Sequence, residues 1–149
     1  MLTKEAVNDF LGQKALAVVG VSRNPSKFGN AIYKDLKARG FRVFGVNPQM
    51  TEVLGDPCYP SLSALPETVG GVVVVVPPAQ AEKVIAEAAK AGIRRVWLQQ
   101  GSESPAAVQA AEKAGLKVIS GECILMYASP AFPHNFHAWI WRAVGKAAR

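Results

Sequence analysis

Three times along the chain a helical segment closes on a glycine and a short apolar segment begins at once. The instances are Lys37-Ala38-Arg39-Gly40 before Phe41-Arg42-Val43-Phe44, Ala89-Lys90-Ala91-Gly92 before Ile93, and Glu112-Lys113-Ala114-Gly115 before Leu116-Lys117-Val118-Ile119. Glycine just past a helix accepts left-handed backbone cheaply and so stops the helix. The lysines and arginines beside these glycines suit the negative end of the helix dipole. A chain punctuated in this way alternates helices with strands, which points to an α/β fold.

The strands expected from the pattern are Ala15 to Gly20, Phe41 to Val46, Val72 to Val76, Val96 to Leu98 and Leu116 to Ile119. The third is apolar at every position, as a central strand covered on both faces requires. Right-handed crossovers then distribute the helices over both faces. The expectation is a Rossmann-like, doubly wound parallel sheet in a single three-layer domain covering residues 1–149. Thr3 is placed to cap a first helix through Leu11, and Ser104-Pro105 to start another. Pro77-Pro78 precedes a helix from Ala79 to Ala91. Asn47 to Pro66 reads as a long, proline-containing connection. From about residue 136 a helical tail carries Phe136, Trp139, Ile140 and Val144 at helical spacing. It is expected to pack on the domain, with a homodimer interface as the second reading.

Half the residues are apolar, which excludes a disordered chain. No apolar stretch approaches the roughly 20 residues of a membrane helix. No signal-peptide core follows Met1, so a soluble, cytoplasmic protein is expected, with no membrane partner. The formal charge of +6 favours anionic partners. The basic residues are scattered and not interleaved with aromatics, so no nucleic-acid partner is expected. Cys58 and Cys123 form no CxxC pair, and neither a zinc site nor a thioredoxin-like motif follows from them.

In a doubly wound sheet, ligands bind beyond the carboxyl ends of the strands where the strand order reverses. That points to five places: Gly20 to Gly29, Asn47-Pro48, Val76-Pro77-Pro78, Gln99 to Ser102 and Gly121-Glu122-Cys123. The first, Gly20-Val21-Ser22-Arg23-Asn24-Pro25-Ser26-Lys27-Phe28-Gly29, follows the first strand and opens a helix. N–H groups at a helix start, with the dipole, favour a phosphate. Arg23 can grip one with two parallel hydrogen bonds, while Lys27 acts as a point charge. Gly29 permits close backbone approach. The loop is not G-x-G-x-x-G, because Ser22 and Pro25 stand where its second and third glycines would fall, and it is not a P-loop. The second strand ends in Asn47, not in the acid that holds the ribose of NAD.

The string at 19–29 resembles the phosphate loop of the coenzyme A-binding domain family, which is also the N-terminal part of the succinyl-CoA synthetase α subunit. The likeness continues through Val46-Asn47-Pro48, Gly55, Tyr59, Ser61-Leu62 and Leu65-Pro66. Val75-Val76-Pro77-Pro78, Trp97-Leu98-Gln99-Gln100-Gly101, Ala114-Gly115-Leu116 and Cys123 extend it over roughly residues 10–126. The resemblance implies coenzyme A as ligand, held by its 3′-phospho-ADP half. Gly20, Val21, Ser22, Arg23, Lys27, Phe28 and Gly29 would surround its phosphates. Asn47 and Pro48 would line the ribose and adenine side. Val76, Pro77, Pro78, Gln99, Gln100 and Gly101 would form the wall where the pantetheine leaves.

The synthetase active-site histidine lies on a second domain for which this chain has no room. Ser120-Gly121-Glu122-Cys123 matches only loosely, since small relatives often carry an Asp-Arg or Asp-Asn pair before this cysteine. The expected role is therefore non-catalytic: a stand-alone module that carries or senses CoA or acyl-CoA, or serves a partner enzyme in trans. The alternatives are a small NADP-dependent oxidoreductase and an interaction protein with a vestigial pocket. No metal is expected: His134 and His137 form His-x-x-His, but no carboxylate or cysteine joins them at that spacing. Cys123 reads as a small packing residue, with a redox role as the sharper alternative.

Overall fold

The computed structural model describes residues 3–127. Each of the three glycine stops lies just past a helix in left-handed backbone, with φ of +95° at Gly40, +80° at Gly92 and +77° at Gly115. The elements in chain order are α1 (Lys4–Leu11), β1 (Ala15–Val19), α2 (Phe28–Ala38), β2 (Arg42–Val46), β3 (Glu52–Val53), β4 (Asp56–Tyr59), β5 (Gly71–Val74), α3 (Pro78–Lys90), β6 (Arg95–Gln99), α4 (Pro105–Lys113) and β7 (Lys117–Glu122). Short 3-10 turns follow at Leu62–Ala64 and Ile124–Met126.

The strands form one seven-stranded sheet in the order β3-β4-β2-β1-β5-β6-β7. All neighbours are parallel except β3 and β4, which pair antiparallel at one edge. The six parallel strands thus run in the 3-2-1-4-5-6 order of the doubly wound fold. The chain leaves β1 toward β2 on one side and later returns as β5 on the other, so the switch point lies between β1 and β5.

Strand residues alternate between two cores, as the two-residue period dictates. Leu16, Val18, Val73 and Trp97 face α1 and α2, meeting Phe10, Ile32 and Leu36. Ala17, Val19, Val72, Val74, Val96 and Leu98 face α3 and α4, meeting Ala81, Ile85, Ala107 and Ala111. The result is a three-layer α/β/α sandwich. Trp97 is fully buried, set edge-on to Phe10 at 5.3 Å, and its indole N–H donates to the Glu122 carbonyl at 3.0 Å.

The helix starts follow the sequence. Thr3 Oγ1 accepts from the Ala6 N–H and Ser104 Oγ from the Ala107 N–H, each at 3.0 Å. The connection from Asn47 to Pro66 differs from expectation, because it contains the β3–β4 hairpin. Its two-residue turn places Leu54 at φ +48° and Gly55 at +85°. The first strand stops at Val19, which leaves Gly20 to turn the chain. The expected tail, with His134, His137, Trp139 and Trp141, lies outside the described residues.

Candidate functional site

Gly20 ends β1 at φ +127°, and a Cβ there would lie 2.1 Å from the Val75 carbonyl oxygen. Only glycine fits between β1 and the β5 end. The Gly20 carbonyl in turn abuts α2, where a Cβ on Gly29 would stand 2.2 Å from it. The close approach expected at Gly29 is therefore an approach of α2 to the end of β1. It is the packing role that the third glycine has in dinucleotide-binding folds.

Between these glycines the loop is held by two asparagines. Asn30, 2% exposed, accepts from the Ser22 N–H at 2.7 Å and donates to the Ser22 carbonyl at 2.8 Å. Asn47 donates to the Val21 carbonyl at 2.8 Å and accepts from the Gln49 N–H at 2.8 Å. Both amides are used in fixing backbone. Within the loop, Ser22 Oγ accepts from the Asn24 N–H, and Asn24 Oδ1 accepts from the Ser26 N–H and hydroxyl. Arg23 reaches across to β2's end and donates to the Gln49 carbonyl at 2.6 Å. Lys27 is exposed at the cap position of α2, and no side chain among the described residues caps that helix. The Asn30 N–H donates to the Lys27 carbonyl at 3.0 Å, which leaves the N–H groups of Phe28 and Gly29 available to an anion. Phe28, the first residue of α2, is 47% exposed.

Beside the loop, on the α3 face of the sheet, lies an open cleft of about 720 Å³. Gly20, Asn47, Pro48 and Val76 line it. The structure thus brings four of the expected residues into one cleft, with Arg23 at its rim through Gln49. Gly20 faces the cleft while Val21 is buried in the α1–α2 core, so the loop crosses the crest of the sheet between them. Pro77 and Pro78 are exposed at the start of α3.

Other expected residues stand elsewhere. The Val21 side chain is packing, and only its backbone belongs to the loop. Gln99 is 1% exposed, and its Oε1 accepts from the Ile124 N–H at 3.0 Å. Gln100 and Gly101 are exposed beyond β6 and do not line the cleft; the Gly101 N–H donates to the Glu103 carboxylate. Side-chain direction decides these cases, and residue type alone does not announce it.

Several residues that shape the site were not singled out in the sequence. Asn30 acts through a partner eight residues away, which no short motif reports. Gln80, Lys83, Val84 and Glu87 line the cleft from α3. Their i, i+3, i+4, i+7 spacing marks one helix face, and that signal was available. Ser102, at the end of the Gln99–Ser102 segment that the strand-end rule pointed to, is buried, accepts from the Val76 N–H at 3.0 Å and ties the β5–α3 turn to β6.

The titrating groups that depart from ordinary behaviour have structural causes. Burial pushes the Tyr33 phenol up, assisted by the Asp56 carboxylate that accepts its proton at 2.8 Å. Lys37 beside Asp56 holds that carboxyl low. Burial likewise raises the Tyr127 phenol, which donates to Glu122 at 2.7 Å, and the Cys58 thiol. Among the described residues, no group of three histidine, cysteine, aspartate or glutamate side chains is placed to hold a metal ion. No helix among them is long and apolar enough to cross a membrane.

A doubly wound sheet with a glycine-built turn at its switch point, an uncapped helix start and an adjoining cleft defines a Rossmann-like nucleotide-binding domain. Residues 14–129 match the family described as "CoA binding domain". The chain belongs to that family. It is 32% identical over 123 residues to the ADP-forming acetate–CoA ligase I of Archaeoglobus fulgidus, covering 76% of this chain and 18% of the ligase. It is 30% identical over 111 residues to the uncharacterized protein YneT of Bacillus subtilis, covering 74% of this chain and 82% of YneT. A solved structure of a conserved hypothetical protein from Pyrococcus furiosus superposes with a TM-score of 0.72 at 44% identity, covering 75% of this chain and 97% of that one. The chain spans less than a third of the ligase sequences it matches.

Proposed function

We propose that the switch-point crevice binds the 3′-phospho-ADP half of coenzyme A, and that the chain works as a non-catalytic binding module. Such a module carries or senses CoA or acyl-CoA, or presents it to a partner enzyme. The observation that carries the reading is the uncapped start of α2 beside the cleft, joined to it over Gly20. A diphosphate needs several N–H or cationic donors in a small space. The α2 N–H groups supply the first kind, and Arg23 and Lys27 supply the second. The cleft volume is in the range of pockets that hold a nucleoside.

Family membership supports CoA over other nucleotides, and so does the residue after β2. Asn47 stands where an NAD-binding fold places a ribose-holding acid. The match over most of YneT and nearly all of the Pyrococcus protein supports a module that works without a ligase body attached. The match to part of the A. fulgidus acetate–CoA ligase supports a role beside a partner that carries the ligase chemistry.

The test is a calorimetric titration with CoA, with NADP as the control at the same salt. Micromolar binding of CoA, about −8 kcal/mol, is the expected result. Its loss on changing Arg23 and Lys27 together to alanine would place the phosphates at the loop. Silence with CoA and saturable binding of NADP would replace this reading with a nicotinamide-dependent one.

A further inference from the structure

We infer that Lys83 is the residue by which this site recognises the 3′-phosphate of its ligand, and so tells CoA from 3′-dephospho-CoA. The inference rests on the CoA reading above and adds to it a group outside the phosphate loop. Asn47 and Pro48, the residues expected on the ribose and adenine side, line the cleft that adjoins the start of α2 over Gly20, so with the diphosphate at that helix start the nucleoside lies in the cleft. The extra phosphate is carried by the adenosine ribose, so it enters the cleft as well.

The lining of the cleft then decides what can hold it. Val46, Pro48, Pro60, Val76 and Val84 are apolar and offer flat contact to a base. The Asn47 amide already holds the Val21 carbonyl and the Gln49 N–H. Lys83 is the one cation among the described residues that line the cleft. It is exposed, and no carboxylate among the described residues lies within salt-bridge distance of it. A dianionic phosphate in a partly apolar cleft requires such a partner.

Glu87, one turn further along α3, lines the same wall. It makes the wall directional. A phosphate is favoured at the Lys83 end, nearer the positive N-terminus of α3, and repelled from the Glu87 end. Arg23, held at the rim by the Gln49 carbonyl, and Lys27, at the start of α2, do not line the cleft. The two sets of cations therefore make separable contributions.

The experiment compares CoA and 3′-dephospho-CoA by calorimetry on the wild-type chain, on Lys83→Met and on Lys83→Arg. Methionine keeps the helix propensity and the apolar stem at an exposed position, so folding is preserved. The wild-type chain is expected to prefer CoA by about tenfold or more, the range of a charge-assisted contact. Lys83→Met is expected to abolish that preference by weakening CoA alone, and Lys83→Arg to retain it. An unchanged preference in Lys83→Met, an equal loss for both ligands, or a wild-type chain that does not discriminate would overturn the role of Lys83 and leave CoA binding standing. A wild-type chain that binds neither ligand would overturn both readings.

Discussion

Replacing Gly29 with alanine adds one methyl group at the point where α2 meets the end of β1. The added Cβ would lie 2.2 Å from the Gly20 carbonyl oxygen, 2.8 Å from its carbonyl carbon and 3.3 Å from the Val21 nitrogen. Carbon and oxygen ordinarily approach no closer than about 3.3 Å, so α2 and Gly20 must separate by about 1 Å. The opposing atoms are backbone and cannot rotate away. Gly20 is itself pinned against the Val75 carbonyl. Overpacking of this kind costs about 1–3 kcal/mol. Alanine's better helix propensity offsets up to about 1 kcal/mol of that, less in a first turn. A net destabilisation of about 1–2 kcal/mol is expected, read as a lower urea midpoint at unchanged slope.

The same shift moves the α2 N–H groups away from the loop, so CoA affinity should fall with stability. Gly40→Ala separates the two effects. Gly40 has φ +95° with open space around it, so its variant loses about 1–2 kcal/mol to left-handed backbone and leaves CoA affinity unchanged. A Gly29→Ala chain with the midpoint and CoA affinity of the wild type would refute the close approach of α2 to Gly20, and with it the argument for how this site is built.

Asn30→Ala removes the side chain that holds both backbone groups of Ser22, leaving them without protein partners. It should cost about 1–3 kcal/mol in chemical unfolding and weaken CoA binding through a looser loop. Asp9 receives a two-pronged hydrogen bond from Arg95, at 2.6 and 3.2 Å, which holds its carboxyl below the ordinary 3.8. A carboxyl lowered on folding stabilises above its unfolded value and loses that contribution as pH falls through the folded one. Asp9→Asn should therefore cost about 1 kcal/mol at pH 7, with the difference from wild type shrinking as pH drops below 3.8. A difference that is constant from pH 7 to pH 2 would contradict that account.

The parts of this fold that were legible in the sequence are those with local causes. Gly40, Gly92 and Gly115 stop helices by their own backbone freedom, and Thr3 and Ser104 cap helices through neighbours three residues away. The strands of the parallel sheet are short apolar runs between these signals. The β3–β4 hairpin escaped because its strands have two and four residues and Pro57 interrupts the second. Its turn also places Leu54, not asparagine or glycine, at positive φ, which hides the usual hairpin signature. In the site, Gly20, Asn47, Pro48 and Val76 were legible because strand ends in this topology converge. Asn30 was not, since its hydrogen bonds depend on α2 folding back over the loop. The burial of Val21 and Gln99 depends on which face of the sheet each side chain takes, a property of tertiary register.

In the proposed complex CoA sits across the crest from the start of α2 into the cleft beneath α3. The most direct measurement is a map of backbone amide chemical shifts during titration with CoA. The perturbed amides are expected to cluster at Ser22–Asn24 and Ser26–Gly29, at Gln49 and in the first two turns of α3, with Lys83 among them. Perturbations concentrated at the opposite, amino-terminal ends of the strands, around Lys14, Arg94 and Lys117, would contradict this placement.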